Sequence, residues 1–201
     1  MHNIDKDYIF ENAMIMMQNA YSVQQFLAFD YFLDLAKVVY FPMQNHMVAK
    51  PTKELLQKLN LDKDEVIEIA EKNTLKNRQF VIKSMSDIIS ELDCNISIRE
   101  NVPDFLYVGT ARDSMEYAAS IILDRGLISS FADSIGKDLL ILPSSIHEIL
   151  FLPRSASDDI FALEQLVTEI NHDVVNLREV LSNRVYCFDR DTQEFQYAGD
   201  H

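Results

Sequence analysis

The run from Asp138 to Pro153, DLLILPSSIHEILFLP, constrains the fold more than any other part of the chain. DLLIL at 138–142 and EILFL at 148–152 are apolar without alternation, the pattern of strands covered on both faces. Pro143 to His147 is a short link, so the two runs predict a hairpin-like pair at the centre of a sheet. Leu140, Ile141, Leu150 and Leu152 are expected to be buried there. A chain of 201 residues can enclose such a pair in a core without disulfide or metal staples.

Around this centre, strands and helices do not alternate strictly. Ile9, Phe10, Ala13, Met14 and Met17 recur at helical spacing and predict a helix over 5–19. Residues 31–43, rich in β-branched and aromatic types, predict a strand that Pro42 ends. Pro51 is placed to open a short helix through Leu55, Leu56 and Leu59. Asp62 with Glu65 is a capping-box pattern and starts a helix with Val66, Ile69 and Ala70 inward. A strand over 78–83, a helix over 84–92 and a loop over 93–103 follow. In the second half, 104–109 reads as a strand. Asp113 with Glu116 marks a second capped helix carrying Met115, Ala118, Ala119 and Ile122, which Gly126 breaks. The next helix carries Leu127, Ile128, Phe131, Ala132 and Ile135 and ends at Gly136, suited to a C-terminal cap.

Beyond the central pair come a helix over 157–171 with Ile160, Leu163, Leu166, Val167 and Ile170 inward, and a helical turn near 177–182. A last hairpin, VYCFD and EFQYA, turns around Arg190 to Gln193. The fold expected is α+β: a mostly antiparallel sheet with several amphipathic helices packed on it. Residues 1–24 are expected to form an N-terminal helical segment and 25–201 a single α+β domain, with 93–103 the one candidate for an internal boundary.

Composition removes whole classes of chemistry. The only glycines are Gly109, Gly126, Gly136 and Gly199. None stands close enough to another to build a phosphate-cradling loop, so Walker-type NTPases and the usual dinucleotide fingerprint are excluded. The chain carries 32 acids against 18 bases, net −14. Residues 1–100 hold 15 acids and 11 bases, net −4, whereas residues 101–201 hold 17 and 7, net −10. A chain so acidic does not bind nucleic acid directly through a broad basic face, since phosphate neutralisation needs Lys and Arg. Cys94 and Cys187 are too few and too far apart for a disulfide scaffold or a C-x-x-C site, and both are expected to be free thiols. The N-terminus lacks the basic start and apolar run of a signal peptide, and no stretch reaches membrane-helix length. The compartment expected is a reducing, bacterial-type cytoplasm, with no membrane association.

The residues that could carry chemistry are few. Ser144, Ser145, His147 and Glu148 bring the types of a nucleophile, a base and an orienting carboxylate within five residues. Neighbours on a tight link rarely converge in that geometry, and no glycine supplies a nucleophile elbow. A turn in which the serines bond backbone amides accounts for the same residues. His2, His46, His172 and His201 form no pair at helical spacing, so neither a metal nor a cofactor is expected. Asp189, Asp191 and Glu194 lack the length and glycine of a calcium loop and read as a solvated hairpin turn. Asp158 and Asp159 suit a helix N-terminus. The methionines near the start read as core filler.

The stretch Asp138–Pro153 resembles a bacterial family known only as domain of unknown function 5688, whose members carry a strand, Pro-Ser-Ser-Ile-His-Glu, and a strand ending in Pro. Phe32–Tyr40, Leu59–Thr74, Leu106–Thr110 and Leu181–Thr192 are similar to further segments of that family, so the likeness spans roughly residues 25–195. The resemblance implies that residues 1–24 are a shortened or divergent start. It implies a fold and a bacterial origin, often in genomes rich in mobile elements; it implies no activity. Two functions are carried forward. One is a non-catalytic interaction module for an unidentified protein partner with a basic surface, of which an inhibitor imitating nucleic acid is one form. Its binding residues would be Asp158, Asp159, Glu164, Glu169, Asp173 and Glu179. The other is a small hydrolase-like enzyme using Ser144 or Ser145 with His147.

Overall fold

The computed structural model describes residues 5–23, 29–43, 47–91 and 103–199. Most of the loop expected at 93–103, with Cys94, lies outside the described residues, as does the side chain of Ser144. The chain divides into two compact units, Met1–Gln79 and Phe80–His201.

In the first unit, α1 (Lys6–Asn12) is capped by Asp5, whose carboxylate accepts the Tyr8 N–H at 2.9 Å. The helix expected over 5–19 ends there. Met14–Asn19 is a strand, β1. Periodicity could not separate the two, because residues 13–17 are apolar at every position. The run is buried throughout, which suits a strand covered on both faces. The methionines do fill core, as strand residues.

β1 pairs antiparallel with β3 (Leu35–Pro42), from Met14↔Tyr40 to Asn19↔Leu35. β2 (Phe29–Phe32) lies on the other side of β3, and β4 (Val48–Ala49) pairs with its end. The single strand expected over 31–43 is therefore a hairpin, turned at Leu33 with φ 53° and Asp34. Thr52, not Pro51, caps α2 (Lys53–Lys58). Asp62 caps α3 (Lys63–Asn77) by accepting the Asp64 and Glu65 N–H groups, and Val66, Ile67, Ala70 and Thr74 are buried. Asn73 and Thr74 tie this helix to residues 10–15: the Asn73 amide donates to the Phe10 and Ala13 carbonyls, and the Ile15 N–H donates to Thr74 Oγ1 at 2.7 Å.

The second unit is built on a six-stranded antiparallel sheet. Its strands in chain order are β5 (Phe80–Ser84), β6 (Tyr107–Ala111), β7 (Leu139–Ser145), β8 (Glu148–Pro153), β9 (Tyr186–Phe188) and β10 (Phe195–Tyr197). The spatial order is β10-β9-β7-β8-β6-β5, so the two apolar runs occupy the middle. Leu139, Leu140, Ile141, Ile149 and Phe151 are fully buried; Leu150, expected inside, is half-buried. β7 and β8 pair from Leu139↔Pro153, and the register slips between Leu142 and Ser145, where Pro143 has no N–H to give the ladder.

Helices lie on both faces. Between β5 and β6 comes α4 (Met85–Glu91). The helix expected from Asp113 is instead a 3-10 turn over Ala118–Leu123, buried from Ala118 to Ile122. Asp124 then caps α5 (Arg125–Ile135), and Gly126 is its second residue rather than a breaker. Gly136 closes α5 in the left-handed conformation, φ 66°. Phe131 of α5 packs edge-on against Phe151 and Tyr107. The opposite face carries α6 (Ile160–Asp173), capped by Asp159 through the Ala162 N–H. Its Val167 joins Leu140, Leu142, Leu152 and Val185 in a core cluster. Residues 177–182 form no helix but a turn and an isolated bridge, Ser145↔Val180.

Candidate functional site

Three segments meet at the turn from β7 to β8. The Ala119 N–H donates to the Ile146 carbonyl at 3.2 Å, and the Ile146 N–H donates to the Glu179 carbonyl at 2.9 Å. The Ser182 N–H donates to Pro143 at 3.0 Å. Within the turn, Ser145 is buried and its Oγ accepts the His147 backbone N–H at 3.1 Å, the local serine turn that competes with a catalytic role.

The imidazole looks elsewhere. His147 Nδ1 accepts the Tyr117 N–H at 3.3 Å, which leaves the proton of the neutral ring on Nε2. Nε2 stands 3.8 Å from Glu179 Oε1. The Tyr117 ring stacks on the imidazole at 5.7 Å, and Tyr117 itself holds a left-handed backbone, φ 56°. Burial pushes the Tyr117 phenol up, and the charges of Glu116 and Glu179 push the same way. Among the described residues no hydrogen bond joins the Ser145 hydroxyl to the imidazole. Glu148 is exposed. Tyr117 was invisible to sequence reasoning because nothing in Met115–Tyr117 signals a left-handed turn, and its partner lies thirty residues on.

The six acidic candidates fall into different settings. Asp158, Asp159 and Glu164 line one open hollow of about 540 Å³ with Arg154 and Phe161. Asp159 is the α6 cap. Glu164, expected to face water, is a structural residue: its Oε1 accepts Arg184 Nε at 3.0 Å and the Val185 N–H at 3.1 Å. Glu169 and Asp173 are exposed on α6, with Asp173 2.8 Å from His172 Nδ1. Glu179 stands apart, by His147.

The inward stripe expected of this helix is only partly inward. Val167 and Asn171 are buried, but Leu166 is 50% and Ile170 42% exposed, and Val174 and Leu177 beyond the helix end are 78% and 83% exposed. The sheet core packs against the side of α6 that carries Ile160, Leu163 and Val167, so Leu166 and Ile170, farther round the helix, stay at its edge. A signal was present, since Ile160, Phe161, Ala162, Leu163, Leu166, Val167 and Ile170 make an apolar arc wider than one sheet face can cover.

Cys187 is a free, buried thiol. Among the described residues no three His, Cys, Asp or Glu side chains are grouped to hold a metal ion. No helix among them is long and apolar enough to cross a membrane. A model for a family described as of unknown function, DUF5688, matches residues 6–190. No curated protein and no solved structure matches.

Proposed function

The chain belongs to the DUF5688 family, whose function is unknown, and we propose that it works as a protein-binding module that docks a basic partner on the outer side of α6. One observation carries this reading. Leu166 and Ile170 stand four residues apart on a side of α6 that the sheet does not cover, and Val174 and Leu177, beyond the helix end, are exposed as well. Scattered exposed apolar residues need no explanation, but a row of them is a mark of an interaction surface.

The charges say which kind of partner fits. Residues 155–177 hold five carboxylates and not one Lys or Arg. Glu169 and Asp173 flank the apolar row, and at the other end of the helix the exposed ring of Phe161 sits beside Asp158. An aromatic face next to carboxylates suits an ammonium or guanidinium group. Apolar contact would hold the complex, and the acidic field would steer it. A second copy of this face is a poor partner, because like charges would oppose. The interleaved Leu166 and Ile170 favour a protein surface over mimicry of nucleic acid, which needs the carboxylates alone.

The test uses a partner captured from the native host with the full chain as bait. Its association should slow as salt rises, because the Debye length shrinks from about 8 Å at physiological ionic strength to about 3 Å at 1 M. The Glu169→Lys/Asp173→Lys variant should slow association by about tenfold with little change in dissociation. Affinity indifferent to both salt and the double reversal contradicts the reading.

A further inference from the structure

The sheet face under α6 continues toward β5, where α4 stands. Between the two, over β6 and β8, lies a mostly apolar hollow of about 280 Å³, with Val81, Ile88, Val108 and Met115 among its walls. Val108 pairs with Leu150 in the ladder, so this floor is continuous with the core beneath α6. Polar groups stand at the edge. Lys83 is closed off by Glu91, whose two carboxylate oxygens both lie 2.7 Å from Nζ.

Arg112 and Glu148 are different. Both line the hollow, and among the described residues neither side chain has a hydrogen-bond or ion-pair partner. Arg112 follows the last residue of β6, and Glu148 is the first residue of β8. An unpaired guanidinium and an unpaired carboxylate therefore line one mostly apolar hollow.

We propose that this hollow binds a small zwitterion of the free α-amino-acid class with an apolar side chain. Its carboxylate meets the Arg112 fork, its ammonium meets Glu148, and its side chain enters among Val81, Ile88, Val108 and Met115. A guanidinium matches a carboxylate in a planar, two-point geometry. The size agrees, since the volume is near the lower end of the roughly 300–1,000 Å³ of ligand sites and suits leucine or phenylalanine rather than a nucleotide. Charge agrees as well. A chain of net −14 repels a simple organic anion, whereas a zwitterion carries no net charge. The site does not depend on the role of α6.

Titration of the full chain with L-leucine and L-phenylalanine, followed by calorimetry or ligand-observed NMR, tests this. Saturable binding in the millimolar range or tighter is expected. N-acetyl-leucine, which lacks the ammonium, and leucine amide, which lacks the carboxylate, should each bind at least about tenfold more weakly, as should leucine to Arg112→Gln and to Glu148→Gln. Both side chains are exposed, so the variants should keep the wild-type circular dichroism spectrum and melting transition. No saturable binding to the folded wild type overturns the proposal. So does equal binding of the zwitterion and its singly charged analogues, or binding that neither substitution weakens.

Discussion

At the scale of single residues, Glu164 and Glu169 show how far like residues can differ. Both are acids on one helix, five positions apart. Glu164 holds Arg184 and the Val185 N–H, and Arg184 in turn lies 4.6 Å over the Tyr197 ring. Glu169 is exposed. Glu164→Ala should therefore cost about 1–3 kcal/mol, because it strands a backbone donor and a guanidinium, while Glu169→Ala stays within about 0.5 kcal/mol. Chemical denaturation of the two variants measures the difference. Sequence could not assign these roles, since the partners Arg184 and Val185 are twenty residues on. Cys187 makes a second test. Burial, then the charge of Asp138, pushes its thiol up. The folded chain thus keeps this proton longer than the unfolded chain does, so the group favours unfolding once pH rises past the ordinary thiol range near about 8.5. In a Cys94→Ser variant, alkylation of Cys187 should stay slow there and speed up on unfolding. Rapid alkylation of the folded protein at that pH contradicts the assignment.

At the scale of elements, the strands that sequence located best are those with the least choice. β7 and β8 are apolar at nearly every position, and only the middle of a sheet accepts that. Leu140 is fully buried in the cluster under α6, so Leu140→Ala should lower stability by about 2–5 kcal/mol. An unchanged unfolding transition would remove these strands from the centre. Capped helices were legible at Asp62, where the carboxylate meets two N–H groups, and failed at Asp113, where the chain bends through a left-handed Tyr117 instead. Gly109 marks a packing constraint that patterning did not reveal. A Cβ there would stand 2.5 Å from the Phe151 ring and 3.0 Å from Ile121. Gly109→Ala should cost about 1–3 kcal/mol by overpacking. A thermal melt that does not fall would show that β6 and β8 can move apart.

At the scale of the whole molecule, the charge asymmetry of the sequence acquires a location. The excess of acid in residues 101–201 includes a stretch, 155–177, that lacks any Lys or Arg and follows one helix. Sequence could identify the acids but not the apolar row beside them, because the same leucines and isoleucines were read as an inward stripe. Only the packing of α6 on the sheet decides which of them are covered. The hollow with Arg112 and Glu148 was less legible still, since its two charges lie far apart in the chain. Backbone hydrogen exchange of the full chain, with and without the captured basic partner, tests the docking face most directly. Slowed exchange concentrated in residues 160–177, and abolished near 1 M salt, is the predicted result. Partner-bound protein in which 160–177 exchanges as in the free chain, with protection elsewhere, would contradict the assignment of α6 as the docking face.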